Sequence, residues 1–110
     1  MDEQLKREVN LLHANLCQAV ADPTRILILY ALHDSPRYVS ELAEFLEAPQ
    51  STVSRHLKVL RDRRLVIAQR DGTSVRYSLA DDRVTQALDL LRAVLMDSLS
   101  QQAQLTDLAP

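Results

Sequence analysis

Glycine, cysteine and aromatic residues are all scarce in this chain of 110 residues. It contains one glycine, one cysteine, no tryptophan and 4% aromatic residues. One glycine is too few for a phosphate-cradling loop or a dinucleotide fingerprint, and no nucleophile is paired with a base, so we do not expect an enzyme. One cysteine excludes an internal disulfide and fits a reducing compartment, so we expect a cytoplasmic protein.

Long apolar runs are also missing, although 46% of the residues are hydrophobic. No run reaches the roughly 18 apolar residues of a membrane span, and the charged start, MDEQLKREVN, does not have the apolar stretch of a signal peptide. We therefore expect no membrane contact. The length predicts one domain over residues 1–100 with a flexible tail over 101–110.

Positive charge is concentrated in one segment, QSTVSRHLKVLRDRRLV at residues 50–66. The whole chain has a formal net charge of -2. In this segment a single acid, Asp62, faces five basic residues: Arg55, Lys58, Arg61, Arg63 and Arg64. Such a separation of charge predicts a surface that binds a polyanion.

Hydrophobic periodicity predicts five helices and one β-hairpin. The alternation in residues 65–70 and 74–79 indicates two strands, with Asp71-Gly72-Thr73 as the turn between them. Apolar residues at helical spacing predict the helices. The first helix runs from the start of the chain to about Ala21, and the others cover residues 23–32, 40–47, 51–63 and 83–100. The predicted N-caps are Asp22, Ser40 and either Asp81 or Asp82. Tyr38-Val39 is predicted to be a short extended piece before the third helix. Leu27 and Phe45 are among the expected core residues.

The order of these elements is that of a winged helix-turn-helix, a mainly α fold with a small β-hairpin. In this fold the fourth helix enters the major groove of DNA and the hairpin follows the backbone or the minor groove. Double-stranded DNA is therefore the predicted partner. The predicted contact residues are Gln50, Ser51, Thr52, Ser54, Arg55, His56, Lys58, Arg61, Arg63, Arg70 and Arg76.

Chemistry divides these residues into two groups. Gln50, Ser54 and Arg55 suit base edges, because glutamine pairs well with adenine and arginine with guanine. The remaining basic residues suit phosphates, which position a protein without reading sequence. His56 has three interpretations, which are a phosphate contact, packing under the hairpin and a structural hydrogen bond.

Several motifs together resemble the ArsR/SmtB family of bacterial transcriptional regulators. They are ADPTR at 21–25, SELAEFL at 40–46, the basic segment 50–66, and the RDG and YSL segments of the hairpin. The resemblance covers about residues 16–95 and implies a homodimer that represses an operon and releases DNA when an inducer binds. Arg64 departs from the family, whose members usually have glycine there, and this leaves the local turn geometry open.

The first and last helices independently indicate a homodimer. Both carry more apolar surface than a lone domain of this size would cover. A two-fold dimer would present two recognition helices to half-sites about one helical turn apart. The predicted interface residues are Leu5, Val9, Leu12, Leu88, Leu91 and Leu95.

The metal ligands that the resemblance implies are missing. Ala43 and Phe45 stand where many members have a cysteine pair, and the last helix has no histidine, so we expect no metal site and no cofactor. His13 and Cys17 remain as half of a ligand set or as a site of thiol chemistry. The plainer interpretation is a small buried cysteine beside a histidine at the solvent edge. The inducer is not indicated.

Two other functions stay open at this point. One is an activator that displaces a different DNA-bound repressor. The other is a winged-helix module whose basic helix binds an acidic protein surface.

Overall fold

The computed structural model describes residues 1–108, which form five α-helices and a three-stranded antiparallel sheet. The element order is the predicted one, with a π-helical turn in addition, and the predicted short extended piece is a strand at Arg37–Tyr38 rather than at Tyr38-Val39. The helices are α1 (Glu3–Leu12), α2 (Pro23–Asp34), α3 (Val39–Leu46), α4 (Gln50–Asp62) and α5 (Arg83–Leu108). The strands are β1 (Arg37–Tyr38), β2 (Val66–Asp71) and β3 (Ser74–Leu79), and the π-helical turn, His13–Cys17, continues α1.

The core lies between α2, α3 and α4. Val53, Leu57 and Leu60 are fully buried on one face of α4, as their spacing predicts. They pack with Ile28 of α2 and Leu42 of α3 in one cluster. Truncation of such a leucine to alanine typically costs about 2–5 kcal/mol of stability. The core thus fixes which face of α4 remains outside.

Asp22 starts α2 as a side-chain cap. Its Oδ1 accepts hydrogen bonds from the amides of Thr24 at 2.8 Å and Arg25 at 3.2 Å, and Pro23 occupies the first helical position. Desolvation raises the pKa of Asp22, but the hydrogen bonds from the Arg25 and Thr24 amides, together with nearby positive charge, leave that pKa below its ordinary value. The predicted cap is confirmed.

Two helices end in left-handed residues that are not glycine. Glu47 has φ 53° and Arg64 has φ 62°. After α4 the amide of Arg64 donates to the carbonyl of Arg61 and that of Leu65 to the carbonyl of Leu60, both at 2.9 Å. These two hydrogen bonds form a Schellman motif, in which glycine is usual at the left-handed position. Arg64 therefore adopts a backbone conformation in which glycine is the usual residue.

The sheet has the order β1-β3-β2. Asp71 pairs with Ser74, so the hairpin loop has two residues, Gly72 and Thr73, and Asp71 belongs to β2 rather than to the turn. Gly72 has φ 61°, a conformation that favours glycine at the first loop position of a type II′ turn. The hydroxyl of Tyr38 in β1 donates to the Asp71 carboxylate, which joins the tip of the hairpin to β1.

Three expectations about helices are wrong. Leu27 is 54% exposed and Phe45 is 62% exposed, because neither residue lies on the buried face of its helix. The Arg37 guanidinium covers one face of the Phe45 ring at 5.3 Å from its centroid. The third helix begins at Val39, and its start is stabilised by the Glu41 carboxylate, which accepts from the Tyr38 amide, rather than by Ser40.

The last helix is longer than predicted. It begins after Asp81, whose side chain accepts from the Arg83 amide at 2.9 Å, and it extends past residue 100 to Leu108. No glycine or proline interrupts it. The predicted tail over 101–110 is thus helical as far as Leu108, and residues 109 and 110 lie outside the described residues. Within residues 1–108 no helix combines the length and apolarity needed to cross a membrane.

Polar contacts hold the start of α5 against α2. The hydroxyl of Tyr30 donates to Asp89 Oδ1 at 2.6 Å, and Arg92 lies over the Tyr30 ring at 5.2 Å from its centroid. The buried Thr85 Oγ1 lies 3.3 Å from His33 Nδ1 at the end of α2. Beyond these contacts every residue of α5 from 93 to 107 is exposed.

Candidate nucleic-acid interface

One face of α4 is open to solvent and carries small polar and basic side chains. They recur every three or four residues, opposite the buried face, and consist of Ser51, Ser54, Arg55, Lys58 and Arg61. Lys58 Nζ lies 3.1 Å from Asp62 Oδ2, which partly neutralises it. Among residues 1–108, Arg55 and Arg61 have no carboxylate partner, so their charges face solvent.

The start of α4 is free for a ligand. Its N-cap is Pro49, which offers no side-chain hydrogen bond to the first amides. Gln50 and Ser51, the first two helical residues, are exposed. Amides at a helix start carry partial positive charge and suit a phosphate group.

The hairpin of β2 and β3 lies beside this helix start. A small cleft of about 190 Å³ is lined by Gln50, by Ser74 and Val75 of β3, and by residues 38–40. Arg70 and Arg76, on the two strands, are both exposed. We call the exposed uncharged and basic residues of α4, together with these two arginines, the recognition surface; its members are Gln50, Ser51, Ser54, Arg55, Lys58, Arg61, Arg70 and Arg76.

Three of the predicted DNA contacts are buried, partly buried or bonded within the protein. His56 is only 9% exposed and its Nδ1 lies 3.3 Å from Arg25 Nη1, so the predicted DNA contact is wrong and the structural hydrogen bond is the correct interpretation. Its spacing from Val53 and Leu60 places it on the buried face, which the sequence could have indicated. Arg63 is exposed but donates to Asn15 Oδ1 at 3.2 Å, and Thr52 is half-buried.

Sequence reasoning overlooked the role of Arg25. Its Nε donates to the Ala19 carbonyl at 2.6 Å and its Nη2 to the Gln18 carbonyl at 3.1 Å, in addition to the contact with His56. The ADPTR motif contains this residue, but the three partners come together only in the folded chain.

Most of the predicted dimer residues lie on an apolar face that α1 and α5 form together. Leu5, Val9 and Leu12 of α1 are between 44% and 49% exposed. Leu91 and Leu95 of α5 are 64% and 54% exposed. Leu88 differs, since it is 7% exposed and packs in the core of its own protomer. An open groove of about 520 Å³ runs between the two helices, with Leu12 on one side and Leu91 on the other.

Cys17 is exposed and lines this groove, so it is not the buried residue of the plainer interpretation. His13 is exposed as well, in the same π-helical turn. Among the described residues no three His, Cys, Asp or Glu side chains form a group that could hold a metal ion.

Comparison with known proteins identifies the family. Residues 22–68 match the family described as "Bacterial regulatory protein, arsR family". The HTH-type transcriptional regulator NmtR of Mycobacterium tuberculosis is 43% identical over 89 residues, which is 81% of this chain and 71% of NmtR. The chain belongs to the ArsR family. The transcriptional repressor SmtB of the same organism is 43% identical over 75 residues, which is 68% of this chain and 56% of SmtB.

A solved structure confirms the predicted fold for this ArsR-family chain. It is the homodimeric winged helix-turn-helix DNA-binding domain from Mycobacterium bovis, described as a possible ArsR-family transcriptional regulator. The match has a TM-score of 0.76 and 27% identity, and covers 92% of this chain and 93% of that domain. The α3–α4 pair is therefore the helix-turn-helix and the β2–β3 hairpin is the wing. The family also confirms a transcriptional regulator rather than an enzyme.

Proposed function

We propose that this ArsR-family chain is a homodimeric repressor that binds a specific duplex DNA through α4 and the wing. The observation that carries the proposal is the exposed face of α4, on which Arg55 and Arg61 have charges that no acid among residues 1–108 neutralises. Because the opposite face is buried, this is the face of α4 that a ligand meets. The proposed DNA-binding and dimerisation domain covers residues 1–100.

The residues of the recognition surface divide by chemistry. Gln50, Ser54 and Arg55 near the start of α4 read base edges, since that end of a recognition helix reaches deepest into the major groove. Lys58 and Arg61, further along the helix, bind phosphates. Arg70 and Arg76 bind the backbone beside the wing.

Support for a dimer and for repression comes from different observations. The exposed leucines of α1 and α5 form an apolar face, and a similar domain from M. bovis is described as homodimeric. The name of SmtB describes a repressor. A dimer also doubles the number of phosphate contacts and places two recognition helices on successive half-sites.

The test is selection of bound sequences from random duplex DNA, followed by affinity measurements on the selected site. We expect affinity to fall steeply with salt, because phosphate binding releases counterions. We expect Arg55→Ala to cost about 1–3 kcal/mol and to relax preference at one base position. Arg7→Ala is the matched control, since Arg7 is exposed and lies outside the recognition surface.

Each other result has a defined meaning. Equal weakening on every sequence would make Arg55 a phosphate contact. No binding of any duplex at micromolar protein and low salt would contradict DNA binding and favour a module that binds an acidic protein. Increased transcription from the selected site in a reporter strain would contradict repression and favour the activator.

A further inference from the structure

The first helix is joined to α4 through Arg25, a residue of α2. The guanidinium donates to two carbonyls just after the π-helical turn that continues α1, those of Ala19 at 2.6 Å and Gln18 at 3.1 Å. Its third nitrogen lies 3.3 Å from Nδ1 of His56 on α4. The contacts of Arg25 with the Ala19 carbonyl and with His56 are partly buried, so water competes less for them, whereas the contact with the Gln18 carbonyl is exposed. One side chain thus fixes three elements relative to each other.

A second connection lies one turn earlier on the first helix. Arg63, at the end of α4, donates to Asn15 Oδ1 at 3.2 Å. The side-chain Nδ2 of Asn15 donates to the Leu11 carbonyl at 2.8 Å, which holds the side chain in place within the π-helical turn. Such turns occur frequently at functional sites. The two connections meet α4 at different points along its length, one at His56 near its middle and one at Arg63 just after its last residue.

Two contacts at different points along α4 fix its direction, whereas one would fix only its position. The first helix also carries Leu5, Val9 and Leu12, which belong to the proposed dimer face. The direction of α4 relative to this helix therefore determines how far apart two copies of α4 lie across the two-fold axis.

We propose that Arg25 is a positioning residue for operator binding. It acts through His56 and the carbonyls of Gln18 and Ala19, holding α4 at the angle that places two recognition helices one helical turn apart. Asn15 and Arg63 support the same angle. The inference rests on the proposed function, because spacing has meaning only for a dimer that binds two half-sites.

The experiment compares three duplexes, namely the selected site and derivatives with one base pair added or removed between the half-sites. Arg25→Gln should lose about tenfold in affinity for the duplex with the selected spacing and much less for the two altered duplexes. The ratio between the affinities for the selected and the altered spacings should therefore fall. The salt dependence of Arg25→Gln should equal that of the wild type, since Arg25 binds no phosphate. Asn15→Ala should lower the same affinity ratio by a smaller factor, roughly two- to fivefold, because its contact with Arg63 is exposed.

Arg7→Gln is the control, because it removes the same charge from an exposed position on the first helix and should leave all three affinities unchanged. Circular dichroism and sedimentation establish that each variant is folded and dimeric. If Arg25→Gln does not fold, the affinities of Asn15→Ala for the three duplexes test the inference instead.

Two results would overturn the inference. One is a folded, dimeric variant that loses affinity equally for all three spacings, which would show a merely structural role. The other is a reduced salt dependence for Arg25→Gln, which would make Arg25 a direct phosphate contact. If the wild-type protein binds no duplex at all, the proposed DNA binding itself is wrong. This result differs from both results above, in which the wild type binds DNA and only the positioning role of Arg25 is contradicted.

Discussion

At the scale of single residues, hydrogen bonds decide which polar side chains remain available to a ligand. His56 and Arg63 belong to the most basic stretch of the chain, yet one is bonded to Arg25 and the other to Asn15. Arg55 and Arg61 share that stretch and remain open. Local charge alone therefore overstates how many basic side chains are available to a ligand, and the hydrogen-bond partners in the folded chain show which of them are already engaged.

Asp81 provides a prediction about how the stability of the protein depends on pH. The Arg83 guanidinium and the Arg83 amide hold the pKa of this carboxyl at about 2, below its ordinary value of 3.8. Because the folded state lowers the pKa, the contribution to stability is complete above the ordinary value and is lost as pH falls toward about 2. The melting temperature of Asp81→Asn should therefore lie below that of the wild type near neutral pH and approach it in strong acid.

Asp82→Asn is the control for this measurement, since Asp82 is exposed and its carboxylate does not bond Arg83. Its melting temperature should follow the wild type at every pH. A constant difference between wild type and Asp81→Asn down to the lowest pH would contradict the ionic origin of the contribution. The pair is exposed, so the effect should shrink in high salt.

At the scale of elements, the ends of helices hold strained residues. Arg64 has a left-handed backbone, which costs an ordinary residue about 1–2 kcal/mol relative to the right-handed form. Arg64→Gly should remove this strain and raise the free energy of unfolding by about 0.5–1 kcal/mol, after allowance for the greater freedom of glycine in the unfolded chain. Denaturant titration measures the change.

Two further variants test the same cause. Arg64→Val should destabilise the protein, because β-branched residues tolerate a positive φ poorly. Glu47→Gly, at the corresponding position after α3, should stabilise like Arg64→Gly. Destabilisation by both glycine variants would contradict the assignment of backbone strain.

Periodicity predicts elements and their faces well but does not predict contacts between them. The spacing of Val53, Leu57 and Leu60 identifies the buried face of α4, and from it the open one. Periodicity places the end of α5 too early, because no glycine or proline within the helix marks where it stops. The π-helical turn and the contact of Arg25 with the Ala19 carbonyl depend on tertiary packing, for which the sequence has no local signal.

At the scale of the whole molecule, the exposed apolar face of α1 and α5 predicts a dimer. Leu91→Glu should shift the protein to a single chain of 12.5 kDa, because a charge buried without a partner in the interface costs several kcal/mol. Sedimentation equilibrium measures the mass. Ile67→Glu is the control, since Ile67 is 52% exposed on the wing and should leave the dimer intact.

Loss of the dimer should also weaken binding to the selected DNA, since one recognition helix then contacts one half-site. A dimeric Leu91→Glu, or a monomeric wild type that binds DNA as tightly as proposed, would contradict the assignment of this face. The Leu91 result would leave the role of α4 untouched, because the recognition surface belongs to a single protomer.

Directed cleavage of DNA tests the role of α4 most directly. Cys17→Ser removes the only cysteine. Ser54→Cys in that background then places one reactive thiol on the exposed face of α4, and Ser98→Cys places one on α5 as a control. An iron chelate attached at Ser54→Cys should cut the selected duplex in the major groove of each half-site, with cuts about one helical turn apart. Cleavage from the Ser98→Cys position alone, or from neither, would contradict entry of α4 into the groove.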